Sequence, residues 1–384
     1  MMTSDIEKVY RYKIFGRGYV LINKVLGVLL AAVLIFNGVS NQLMGEIFAE
    51  GTALLVTFLF LLFRVNFKVS IRKSVWPIFI IICGVLVYNF ITIAYDGLSY
   101  RILFFYQYVF FLLILLLPNE REVENNFIVK ILIIFSCVSS IYALAQRLGF
   151  ETLLPLENEI RATGLSRSSL NLSGFLLLMF TLSFIVLLND FKKWLIMIVI
   201  FIGILSAGGR GAIVGAILLV CLGALTVGSN IKNIIYSALF VGLPLILFND
   251  WLFRAFSAFD FVNDQSNIDR LGSYAEFLNE FNFFGGGIGT TSPALSRFGL
   301  STGFESFALN TLYELGIPFA ILLAMGLFIY LSDLKKPIKK NIFFLGIAIT
   351  PIFFGQQMLG TPSVFCCMVL VYYFVVCKIH KVSF

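Results

Sequence analysis

The residues of this sequence best equipped for chemistry are one glutamate and a set of arginines. Glu305 stands at the edge of an apolar run, followed by Ser306, Asn310 and Glu314. An ionised carboxylate there is costly unless it is paired or functional, and partial desolvation suits it to general-base work. A salt bridge to an arginine is the alternative role for Glu305. Helical spacing puts Glu305, Leu309 and Tyr313 on one face. Arg161, Arg167, Arg210 and Arg270 lie in or beside loops and span ends. Guanidinium stays charged when partly desolvated, and its planar fork fits phosphate oxygens in pairs. Together these arginines read as a pyrophosphate-binding set. Arg210 is the sharpest of them, within Ser206-Ala207-Gly208-Gly209-Arg210-Gly211. Glycines on both sides make that a tight turn a ligand can approach closely. For Arg101, Arg147 and Arg297 the simpler reading is snorkelling to an interface.

Other chemistries find little support. The single histidine, His380, is near the C-terminus, and the acids form no DxD or HExxH arrangement. No metal site and no cofactor are expected. Gly285-Gly286-Gly287-Ile288-Gly289 follows no strand, so it reads as a tight, close-packed turn rather than a nucleotide fingerprint. The cysteines (Cys83, Cys137, Cys221, Cys366, Cys367, Cys377) sit in or at the ends of apolar runs and read as packing residues.

The elements that must position these groups are membrane helices. Hydrophobic residues make up 59% of the 384 residues, charged residues only 13%, and mean hydropathy is +0.96. A soluble domain cannot hide that much apolar surface. The expected fold is an all-α polytopic membrane protein, a single integral domain over 1–384. About twelve spans are expected, at the length of roughly 20 residues that crosses a bilayer. Their centres fall near Leu29, Leu55, Cys83, Phe111, Phe135, Leu177, Val199, Leu218, Leu239, Ile321, Ala348 and Leu370. A large polar loop occupies 249–304. Within it, Asn267–Phe284 has helical spacing, with Leu271, Tyr274, Phe277, Leu278 and Phe281 on an apolar stripe. That segment is expected as an amphipathic helix over the mouth of the bundle.

Charge sets the orientation. With the N-terminus inside, the inner segments collect every lysine cluster: Lys8 and Lys13, Lys68 and Lys73, Lys192-Lys193, Lys335–Lys340, Lys378 and Lys381. The outer segments hold arginine alone, at Arg101, Arg147, Arg161, Arg167, Arg210, Arg254, Arg270 and Arg297. Both termini are therefore expected in the cytoplasm. The net charge of +7 arises from short basic loops, so no nucleic-acid partner is expected.

Three places carry a family likeness. The first is Arg161-Ala162-Thr163-Gly164-Leu165 through Asn171; the second is the turn Ser206–Gly211. The third joins Asp269-Arg270, Gly285–Gly289, Glu305-Ser306 and Gly316-Ile317-Pro318. In order and topological side these resemble the O-antigen polymerase and ligase superfamily, polytopic enzymes acting on polyprenyl-linked glycans. Ligases of that family carry a histidine where Glu305 stands, so the resemblance implies a Wzy-type polymerase over a WaaL-type ligase. It implies a bacterial inner-membrane enzyme with its large loop in the periplasm. Donor and acceptor are then undecaprenyl-diphosphate-linked oligosaccharides, and a chain-length regulator is an implied partner. Glu305 is the expected base, and Arg210, Arg270, Arg161 and Arg167 the expected diphosphate ligands. Asn171, Asn310 and Tyr313 are further candidates for substrate contact. Rival readings are a ligase and a lipid-linked oligosaccharide flippase, which is expected to carry charged residues in the middle of its helices, lining a path through both leaflets, whereas these spans are nearly free of mid-membrane charge.

Overall fold

The structure is a computed structural model that describes residues 24–34, 36–62, 75–96, 105–115, 126–150, 152–154, 156–157, 161–166, 168–188, 191–226, 242, 265–290, 306–355 and 361–376. Among these residues the chain is helical and forms no named strand; Glu157 and Arg161 make an isolated antiparallel bridge. The helices are α1 (Lys24–Leu34), α2 (Asn37–Met44), α3 (Glu46–Leu62), α4 (Trp76–Asp96), α5 (Tyr106–Leu115), α6 (Asn126–Arg147) and α7 (Ser169–Val186). They continue as α8 (Phe191–Ala207), α9 (Arg210–Thr226), α10 (Gln265–Glu280), α11 (Phe307–Ser332), α12 (Lys336–Gly355) and α13 (Pro362–Val376).

α7 is the axis of the bundle. It is apolar on every side, and all its residues except Leu170 and Ile185 are buried, which is how a helix without a polar face is accommodated. α8, α9, α12 and α13 pack around it, and α6 packs on α8. Small residues permit the close approaches. Gly203 lies against Ser140, Gly215 against the Ala348 carbonyl and Gly223 against the Phe184 ring, each leaving no room for a Cβ. A second, smaller core joins α4 to α11 through Ile78, Ile82, Leu315 and Tyr330, and takes in Ile288.

The outward faces are apolar too. Ile134, Val138 and Ile141 on α6, and Ile321, Met325 and Phe328 on α11, are exposed at helical spacing. Apolar helices with apolar outer faces are what a membrane-embedded bundle requires. Among the described residues four helices are long and apolar enough to cross a bilayer, at Phe127–Arg147, Ser169–Val186, Phe307–Ser332 and Lys336–Phe354. The described helices α3, α4, α9 and α13 contain shorter apolar stretches. The span expected near Leu239, both termini and most of loop 249–304 lie outside the described residues.

Two elements differ from expectation. The first apolar run is not one straight span: α1 and α2 meet at 74°. No proline marks the bend. Just past it, Gly38 packs flat on the carbonyls of Leu165 and Ser166, and its N–H donates to the Leu165 carbonyl at 3.0 Å. In the polar loop the helix stops at Glu280 instead of reaching Phe284. Just past its end the Phe281 ring meets the Phe277 ring, with centroids 5.0 Å apart. Phe277 alone of the expected stripe is buried, while Leu271 and Leu278 face outward. The helix touches the end of α12, where the Tyr274 hydroxyl donates to the Phe354 carbonyl at 3.2 Å.

Candidate functional site

The arginines sit on a loop and a turn that pack together. The chain from α6 to α7 is fixed by Gln146, whose Nε2 donates to the Leu154 carbonyl at 2.6 Å and to Thr163 Oγ1 at 3.2 Å. Its Oε1 accepts the Gly164 N–H at 2.8 Å. Gly164 adopts a φ of 58°, a conformation costly for a side chain. Arg161 and Glu157 exchange backbone hydrogen bonds of 2.8 and 2.9 Å. The Glu157 carboxylate accepts the Ser169 N–H at 2.6 Å. That places a negative group at the N-terminus of α7, where the helix dipole favours it. Ser168 completes the cap by accepting the Asn171 N–H at 3.2 Å.

The Ser206–Gly211 segment is the tight turn expected of it. α8 ends at Ala207, Gly208 takes a φ of 68° and α9 starts at Arg210. The Ala162 N–H donates to the Ser206 carbonyl at 3.1 Å, stitching the Arg161 loop to this turn. A Cβ added to Gly208 would lie 3.8 Å from Arg161 Cγ, so the arginine stem runs over the glycine. Gly209 presses on Ser173 of α7 with no space for a side chain. Arg210 is 7% exposed at the head of α9. Arg161 and Arg210 are thus carried by directly abutting backbone, on arms set by glycines and by Gln146.

The second group surrounds the glycine turn. The N–H groups of Gly286 and Gly287 donate to the carbonyls of Tyr313 and Glu314 at 2.8 and 3.0 Å. The Gly289 N–H donates to the Glu314 carboxylate at 3.0 Å, and the Ile288 N–H to Asn89 Oδ1 at 2.6 Å. α11 opens to admit the turn, with Gly316 at φ 74° and ψ 169° just before Pro318. Ile317 then donates to the Phe283 carbonyl at 3.0 Å. Tyr313 is half-buried, with its ring edge over Gly286, and Asn310 is buried one turn earlier. Ser306 caps α11 by accepting the Leu309 N–H at 3.4 Å.

Asn171, in the first turn of α7, faces α13: its Oδ1 accepts a hydrogen bond from Thr361 Oγ1 at 3.3 Å. α12 links the two groups: it packs on α7 and α9, while Phe353 meets Phe307 of α11 at 5.4 Å. Glu305 and Arg167 lie outside the described residues. So does the side chain of Arg270, whose backbone is in α10. Among the described residues no group of three His, Cys, Asp or Glu side chains converges.

Two of the described lysines, Lys193 and Lys340, lie elsewhere. Lys193 donates to the Phe184 carbonyl at 2.7 Å, and Phe184 stacks edge-on against Phe344, over which Lys340 sits at 5.6 Å. Residues whose importance local sequence did not signal are Gln146, Glu157, Asn89 and Glu50. Each holds a loop or helix end distant in sequence. Glu50, 7% exposed, accepts the Ser363 N–H at 2.7 Å and its hydroxyl at 3.1 Å, capping α13 from α3. No protein-family model matches the chain, and neither does any curated protein or solved structure.

Proposed function

We propose that the chain is a multi-pass glycosyltransferase of the polysaccharide-polymerase type. In this reading about twelve spans surround an active site on the periplasmic face of the bacterial inner membrane, with both termini in the cytoplasm. The chain joins undecaprenyl-diphosphate-linked oligosaccharide repeat units. Glu305 takes the proton from the acceptor hydroxyl as that oxygen attacks the anomeric carbon of the donor. The bond from that carbon to the diphosphate breaks, and undecaprenyl diphosphate leaves with the electron pair. A single displacement of this kind inverts the anomeric centre. Arg210, Arg161, Arg270 and Arg167 balance the charge on the leaving group, a task otherwise given to a divalent metal.

The observation that carries the reading is the seating of Arg161 and Arg210 on abutting glycine-lined backbone at one end of the bundle. The lysines Lys193 and Lys340 gather around the Phe184–Phe344 pair, away from that seat. A lipid-linked oligosaccharide flippase is the second reading. The 74° break between α1 and α2 favours it, since transporters use broken helices to line a path.

The test is Glu305→Gln in a strain whose only copy of the gene is this one, with expression matched to wild type. The surface polysaccharide ladder is expected to collapse to a single capped repeat unit. An unchanged ladder removes Glu305 as the base. Loss of even the single-unit band moves the chain to flipping or ligation.

A further inference from the structure

We propose that the polar recess at the break between α1 and α2 receives a hydroxyl group of the glycan, a proposal that rests on the polymerase reading above. The recess has about 230 Å³ of empty space including its mouth, and is lined by Asn37, Ser166, Asn171 and Ser363 with Leu34 and Phe175 behind them. Its enclosed part has room for about one hydroxyl or water. Asn37 is 2% exposed, and neither its amide nitrogen nor its amide oxygen has a hydrogen-bond partner. Buried amides are ordinarily satisfied at both ends.

The chemistry of the missing partner follows from the amide itself. An anion only accepts, and would leave Asn37 Oδ1 unsatisfied. A cation would leave Nδ2 unsatisfied. A hydroxyl donates and accepts, and satisfies both. Ser363 Oγ already donates to the Glu50 carboxylate at 3.1 Å, so it offers a lone pair toward the recess. That same carboxylate disfavours a diphosphate here. The recess therefore suits the neutral, hydroxyl-bearing part of the substrate. It adjoins the arginine seat: Ser166 is on the Arg161 loop, and Asn171 is on the turn of α7 that presents Ser173 to Gly209.

Water has the same chemistry as a sugar hydroxyl, and the experiment separates them. The full-length protein in nanodiscs is titrated with the undecaprenyl-diphosphate-linked repeat unit extracted from cells deleted for this gene, and in parallel with undecaprenyl diphosphate carrying no sugar. Asn37→Ala is expected to weaken binding of the glycan-bearing lipid about tenfold, the equivalent of ~1.4 kcal/mol. Binding of the bare lipid diphosphate stays unchanged. Asn37→Ser, which restores a donor and acceptor, recovers part of the loss and serves as the test if Asn37→Ala does not fold. Glycan affinity unchanged in both variants, or an equal loss for both lipids, overturns the proposal and leaves the recess to a structural water. Wild type that binds and polymerises while the variants bind as tightly sinks this inference alone. Wild type that binds no glycan-bearing lipid sinks the polymerase reading with it.

Discussion

At the residue scale the account turns on why Arg161 and Arg210 are arginines. A lysine keeps the charge, but it cannot engage two phosphate oxygens through a planar fork. Arg210→Lys in the purified protein is expected to slow release of undecaprenyl diphosphate about tenfold, the loss of one good hydrogen bond. Arg210→Ala, which removes the charge as well, is expected to cost roughly 100-fold or more. Thermal midpoints checked alongside separate this from misfolding. Equal rates for lysine and arginine contradict a bidentate role. The turn that seats Arg210 was legible because glycines flank it in the sequence. The role of Gln146 was not, because its partners Leu154, Thr163 and Gly164 lie across a loop and nothing local distinguishes it from any polar residue on a span.

At the scale of elements, α11 and the glycine turn form one unit. Gly316 combines a φ of 74° with backbone atoms of Phe284 and Gly285 crowding the place where a Cβ would go. Gly316→Ala is expected to destabilise the protein by about 1–3 kcal/mol for the backbone strain alone, read as a lowered melting temperature. Gly346→Ala in α12 is the control. Nothing lies within 4 Å of its added Cβ, so it is expected to be neutral or slightly stabilising. A comparable loss in both variants contradicts the interlock. The glycine run and Gly316-Ile317-Pro318 read as breaks from composition. Their mutual pairing, and the Ile288 bond to Asn89 of α4, are long-range contacts that no local pattern encodes. The docking of Gly38 on Leu165 and Ser166 is a long-range contact of the same kind.

Across the whole molecule, helix content and membrane character were legible because composition alone imposes them. Among the described residues Lys193 and Lys340 gather around the Phe184–Phe344 pair, while the Arg161 loop abuts the Ser206–Gly211 turn that carries Arg210. What composition could not supply was the centrality of α7, whose near-uniform apolar face reads like any other span until its neighbours are placed. The most direct test of the account is reconstitution. The purified protein in nanodiscs, given only the undecaprenyl-diphosphate-linked repeat unit, is followed for glycan length and for released undecaprenyl diphosphate. The account predicts a ladder of joined units, one lipid diphosphate released per new bond, and loss of both with Glu305→Gln. No joined product, together with translocation of the same lipid in sealed vesicles, contradicts it and makes the chain a flippase.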